Sequence, residues 1–321
     1  MLPPRFSIHQ LCQAYRVLDR HLLAVKECLL SYNKPLRINR LLQSSRRELV
    51  LLAPSASALP SHLTNVRSDP AEYEELLFQM QKLRGTVYLE DGAIRSHELH
   101  NQRHRLEIDH KSWHLLILDS MFGVCGCARY REHPAGADFS HLSVSRSPLA
   151  GCTEWGARLR ASVDAEIEVS RQLAVPYVEL GGWALLKDIR CTTEALRLAL
   201  STYGLAQVLG GGVGLSTATF RNSSALILRR LGGHPLEHDR RQVPSYYDPQ
   251  YGCEMEVLRF YSWAPEPRYA NWVADLKRAM HNIPVFTNGD LETVGTFQRT
   301  RPANLSHDAT VLAANNRSFI V

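Results

Sequence analysis

Arg190-Cys191-Thr192-Thr193 stands between an apolar run and a strongly helical one in LLKDIRCTTEALRLAL. A helix start leaves backbone N–H groups without intrahelical partners and carries partial positive charge, so a strand leading straight into one makes an anion site. An arginine and two threonine hydroxyls improve it. A phosphate or pyrophosphate fits there; the other reading is that Thr192 or Thr193 caps the helix and Arg190 is solvated. Five histidines lie between positions 97 and 114, with His100 and His104, and His110 and His114, four apart as on a zinc-binding helix. No glutamate completes an HExxH pattern, and the second pair runs into an expected strand, so no metal is expected. Cys125-Gly-Cys127 alternates on a strand, which predicts both thiols on one side as core fillers. The glycines of LGGGVGL follow a helix and lack the Lys-Ser/Thr of a phosphate-binding loop, so they read as a helix stop.

The elements that position these residues are read from periodicity and punctuation. Asp69 or Ser68 caps a helix over Ala71–Leu83, followed by strands over Ser112–Asp119 and Val124–Tyr130 that make a hairpin turned by Ser120–Gly123. A helix over Trp155–Leu173 leads to PYVELGGWALL, a strand interrupted by Gly181 and Gly182, where paired glycines indicate a bulge or a splayed edge. Next come the helix from Thr192, the strand GLSTATF, the short helix SSALILRRL, the strand EMEVLRFYSW and a helix over Asn271–Met280. Mixed helix and strand in this order gives an α+β fold.

The chain has 321 residues, 45% hydrophobic and 21% charged, enough for a large core. Its start lacks the apolar stretch of a secretory signal, and no segment offers the uncharged run needed to span a bilayer, so a soluble cytoplasmic protein is expected. Seven scattered cysteines argue for reduced thiols rather than a disulfide framework. Charge is uneven: residues 1–70 hold ten Lys or Arg against four Asp or Glu, while the rest of the chain is close to neutral. Within this basic part Ile8, Leu11, Tyr15, Leu18, Leu22, Val25 and Leu29 form one helical stripe, suited to a partner or to its own domain. The chain divides into a basic helical N-terminal extension (1–70), a mixed helix-and-strand domain (71–282) and a C-terminal extension (283–321). No nucleic-acid module accompanies the basic charge.

Together, the element order and these residues resemble the GNAT acyltransferase superfamily. There a bulged fourth strand leads into a loop Arg-x-x-Gly-x-Gly/Ala whose amides hold an acyl donor's phosphates; Arg190 and Ala195 agree with it, and Thr193 stands where glycine is usual. SSALILRRLGG is similar to the superfamily's fourth helix, with Leu228 where many members have a catalytic tyrosine. A closer resemblance is to its long-chain branch: autoinducer synthases, N-acyl amino acid synthases and ornithine acyltransferases. LRGTVY with Arg84, IDHKSWHLLILD with Asp109, Gly126-Cys127-Ala128-Arg129 and VELGGWALLKDIR carry it, over about residues 71–262. Gly182 departs from it, since the branch commonly has arginine there.

The resemblance makes residues 71–282 a GNAT-like acyltransferase domain and implies a GNAT-like, mostly antiparallel mixed sheet flanked by helices, and an N-acyltransferase acting by direct transfer. A (long-chain) fatty acyl group would pass from acyl carrier protein or CoA to the amine of an amino acid or similar small molecule. It places Glu179 as general base, directly or through a water, and Leu185, Arg190, Cys191, Thr192, Thr193 and Glu194 on the acyl donor. It places Arg84, Asp109, Arg129 and Trp183 on the acceptor. No permanently bound cofactor is implied, only acyl-phosphopantetheine as co-substrate. Acyl carrier proteins are acidic, so the basic N-terminal part would steer that donor. A second reading keeps the fold without catalysis, as an acyl-thioester-binding or scaffold protein. The three tyrosines of VPSYYDPQYG form a loop that covers a substrate or packs on the surface.

Overall fold

Asp69 opens the first helix: its carboxylate accepts from the amides of Ala71 and Glu72, and Pro70 presets the first turn of α1 (Pro70–Glu90). The structure is a computed structural model that describes residues 47–55, 57–190, 192–289 and 296–297. Helix α1 runs past the expected Leu83 through Gly85, where a Cβ would meet the Gln102 carbonyl oxygen at 3.1 Å; the glycine is there for close backbone approach.

Strand β1 (Arg47–Leu52) precedes α1, as does the short β2 (Val66–Ser68). After α1 come β3 (Trp113–Asp119) and β4 (Gly123–Glu132), helix α2 (Gly156–Gln172), β5 (Tyr177–Leu185), the single turn α3 (Lys187–Arg190) and α4 (Thr193–Val208). The remainder holds β6 (Val213–Thr219), α5 (Ser224–Arg230), β7 (Tyr246–Asp248), β8 (Cys253–Tyr261), α6 (Ala270–Met280) and β9 (Val285–Thr287). The main sheet runs in the order β7-β8-β6-β5-β4-β3-β1-β9-β2. Its pairs are antiparallel except β5 with β6, β1 with β9 and β9 with β2. This is the expected α+β architecture: α1 covers one face with Tyr73, Leu77 and Met80, and α4 covers the other with Leu198, Leu205 and Ala206.

Three expectations are corrected. The extension over 1–70 is not helical from residue 47 onward, because RELVLL is β1, inside the sheet between β3 and β9. Its four consecutive buried residues Leu49–Leu52 are the continuous apolar run of a strand covered on both faces. Its neighbour β9 lies within the segment 283–321 read as an extension, so the sheet crosses both expected boundaries. The two thiols of Cys125 and Cys127 do not share a face: the register of β3 with β4 shifts between Ile117 and Leu118, which sends Cys125 to the α4 side and Cys127 to the α1 side. The Ile8–Leu29 stripe, Cys191 and most of the basic and C-terminal segments lie outside the described residues. Among the described residues no helix is long and apolar enough to cross a membrane.

Candidate functional site

Strand β5 parts from β6 after its first three residues. The parallel register ends at Glu179 opposite Leu215, although both strands continue. On its other edge β5 pairs with β4 through Arg129 opposite Gly181, then resumes at Cys127 opposite Ala184, so Gly182 and Trp183 fall in a bulge. Gly182 has φ +61°, a backbone conformation that costs glycine little and other residues more. The result is a wedge between β5 and β6, with Glu179 at its apex.

The α1 face of the apex is lined by charge. Glu179 is 4% exposed. Its Oε1 accepts from the Ser143 amide at 2.6 Å, and its Oε2 from His133 Nε2 at 2.9 Å and Arg131 Nη1 at 3.5 Å. Burial pushes its carboxyl upward, but the His133 hydrogen bond and charge, the Ser143 amide and the nearby charge of Arg129 together hold it below the ordinary value of 4.5. His133 is itself buried, with Nδ1 lacking a hydrogen-bond partner among the described residues. No spacing in the sequence joins His133 or Ser143 to Glu179.

Arg84 and Asp109 form a two-point pair, Nη1 to Oδ1 at 2.9 Å and Nη2 to Oδ2 at 2.7 Å, with side chains 1% and 0% exposed. Asp109 also accepts from Gln81 Nε2 and the Leu106 amide, each at 3.0 Å, and Arg84 Nη2 donates to the His104 carbonyl. Burial opposes the charge on both, and the pairing more than offsets it: Asp109 is held below its ordinary value and Arg84 above. These groups, expected on the acceptor, are paired with one another in the structure.

Arg129 differs from them. It is buried, and the carboxylates whose charge it feels, Asp109 and Glu179, are bonded to Arg84 and to His133 and Arg131. Among the described residues it forms no ion pair, its Nε, like that of Arg84, lacks a hydrogen-bond partner, and burial followed by the charge of Arg84 pushes its guanidinium below the ordinary value. A buried guanidinium whose neighbouring carboxylates are bonded elsewhere gains from a carboxylate ligand. Trp183, expected beside these groups, packs into the clusters on the α4 side, the opposite face. On that face Tyr130, Val178, Leu180, Tyr203, Gly214 and Phe260 help line a cavity of ≈ 20 Å³, space for about one water.

At the far end of the wedge the polar groups are partly taken up. Thr192 is the N-cap of α4: its Oγ1 accepts from the Glu194 amide at 3.2 Å and donates to the Ile189 carbonyl at 2.8 Å. Glu194, expected on the donor, pairs through Oε2 with Arg197 at 3.0 Å. Leu185 is paired opposite Gly126, and its carbonyl accepts from Arg190 Nε at 3.0 Å. Arg190 Nη1 lies 3.3 Å from Asp91 Oδ1, while its Nη2 is buried without a partner among the described residues. Thr193 is half-buried on the first turn of α4. Tyr246 packs in the core beside Tyr251, and Tyr247 is exposed. Among the described residues no group of three or more His, Cys, Asp or Glu gathers as metal ligands.

No family model matches the chain, and no curated protein does. Among solved structures it is similar to a CoA-dependent acyl-homoserine lactone synthase, BjaI, solved with SAM and isopentyl-CoA: 14% identity and TM-score 0.45, over 77% of this chain and 97% of that one. It is also similar to FeeM, an N-acyl amino acid synthase from uncultured soil microbes, at 11% identity and TM-score 0.39 over 60% of this chain and 87% of that one. The autoinducer synthase LasI gives 20% identity and TM-score 0.37, over 59% and 84%. These are likenesses of chain path; the chemistry of the site rests on its own residues.

Proposed function

We propose that this protein is an N-acyltransferase. It moves a fatty acyl group from a phosphopantetheine thioester, on acyl carrier protein or CoA, to the amine of a carboxylate-bearing small molecule such as an amino acid. The observation that carries this reading is the apex of the wedge: an ionised carboxylate, Glu179, next to a buried guanidinium, Arg129, that forms no ion pair among the described residues. An amino acid would bring a carboxylate to Arg129 and its amine to the acceptor site of Glu179 that His133, Arg131 and Ser143 leave open. The sequence resemblance points to the same chemistry.

In the reaction the neutral amine attacks the thioester carbonyl. The C–N bond forms, the C–S bond breaks, and the pantetheine thiol leaves. The proton lost by the amine passes to Glu179, directly or through a water, and from there to the departing thiolate. Of the roughly four acceptor sites of a carboxylate, the structure occupies three on Glu179, which leaves one for the amine or its water. On this reading the backbone N–H groups of Gly182 and Trp183, which fall outside the β4 register, hold the developing oxyanion. Arg190 and the first turn of α4 hold the donor's phosphate. The excess positive charge of residues 1–70 favours an acidic carrier protein over free CoA.

One observation favours a second reading, a noncatalytic acyl-thioester-binding protein: the low carboxyl value and three donors at Glu179 make it a weak base. A thiol-release assay with acyl donors and mixed amino acids separates the two. Transferase activity predicts turnover that falls by about 10²-fold or more in Glu179→Gln. Binding of donors without turnover supports the second reading, and unchanged turnover in the variant removes Glu179 from the mechanism.

A further inference from the structure

The C-terminal ends of β5 and β6 have no ladder between them, yet one residue from outside both strands bonds to the segments that leave them. Asp91, the residue that ends α1, accepts at Oδ1 from Arg190 Nη1, 3.3 Å away on the segment after β5. It accepts at Oδ2 from Asn222 Nδ2, 2.9 Å away on the segment after β6. Its carbonyl accepts from Arg221 Nη1, and Arg221 Nη2 donates in turn to the Gly252 carbonyl at 2.8 Å, on the turn between β7 and β8. Four segments distant in sequence therefore meet at Asp91.

We infer that Asp91 is a positioning residue for the acyl donor: it sets the gap at the mouth of the β5/β6 wedge and turns Arg190 so that Nη2 is presented to the donor's phosphate. With Nε on the Leu185 carbonyl and Nη1 on Asp91, the guanidinium is held at two points, and Nη2 is the donor left over. A fixed arginine gives up less side-chain freedom on binding an anion than a mobile one. The alternative effect, that the Asp91 charge weakens phosphate binding by neutralising Arg190, is the smaller one here. The pair has side chains 25% and 23% exposed and a single 3.3 Å contact, and pairs so open to solvent are screened. For the same reason removing Asp91 costs the fold little, so the variant is testable.

The inference rests on the proposed donor site and is tested without turnover. Isothermal titration compares two probes, acyl-phosphopantetheine and the same acyl-pantetheine lacking the phosphate, on the full chain. Wild-type protein is expected to bind the phosphorylated probe about tenfold more tightly, the range of one charge-assisted hydrogen bond. Arg190→Met removes that difference. Asp91→Ala reduces it to about threefold or less while leaving affinity for the unphosphorylated probe unchanged, a pattern that general loosening would not give. Asn222→Ala, which frees only the other arm of Asp91, narrows it in the same direction and serves if Asp91→Ala fails to fold. Equal binding of the two probes by wild type, or a full tenfold preference surviving in Asp91→Ala, overturns the inference. Phosphate-dependent binding without thiol release would leave it standing and sink the catalytic reading instead.

Discussion

Arg129 lies across Gly182: a Cβ added at Gly182 would stand 3.0 Å from the Cβ of Arg129, and one added at Gly181 would stand 3.3 Å from its Nη2. The glycine pair of β5 clears the space that the β4 arginine fills.

Gly182→Ala is expected to destabilise the protein by about 1–2 kcal/mol, the cost of a left-handed backbone for a residue with a Cβ, with the contact to Arg129 added. Gly182→Arg costs more and restores nothing, since its side chain would compete with Arg129. Urea unfolding midpoints measure both.

Arg129→Met should raise the acceptor KM at least tenfold and leave the donor KM within about twofold, because a lost carboxylate contact is a loss of acceptor binding. Arg129→Lys falls between, keeping the charge without the fork. Equal effects on both KM values would place Arg129 elsewhere in the mechanism.

Breaking the Arg84–Asp109 pair from one side leaves a buried charge. Asp109→Ala is expected to cost about 3–5 kcal/mol. Pairing it with Arg84→Met should recover much of that loss in unfolding experiments, whereas a substrate-binding role would show acceptor KM effects in excess of the stability loss.

Acid should weaken the fold through the same carboxylates. Glu179 and Asp109 are held below their ordinary values of 4.5 and 3.8 in the folded state, so below those values the unfolded chain binds more protons than the folded one. Their stabilisation is complete above the unfolded-state values and is lost as pH falls through the folded ones. Melting temperature should therefore drop as pH is lowered below about 4.5, and the drop should be shallower in Glu179→Gln.

Much of the domain core was legible because its elements are punctuated locally. The Asp69 cap, the Gly181-Gly182 bulge, the Thr192 cap and the hairpin at Ser120–Gly123 are each set by a few adjacent residues. Strand β1 was not, since a short apolar run is ambiguous alone and its neighbours in the sheet, β3 and β9, come from distant parts of the chain. At the site, Glu179, Arg84, Asp109 and Arg129 all gather on one face, but which charges pair was hidden. Nothing in the spacing says that Asp109 reaches back to Arg84 while Arg129 is left over. His133 and Asp91 went unremarked for the same reason: their partners are fixed by sheet register and by where α1 ends, not by a motif.

Mass spectrometry of lipids from cells overproducing wild-type or Glu179→Gln protein shows whether an acyl group is joined to a carboxylate-bearing amine at Glu179 and Arg129. A new fatty amide whose head group carries a free carboxylate is expected with wild type and greatly reduced with the variant. Equal amounts of that amide from both, or a new lipid lacking a carboxylate head group, would contradict that chemistry.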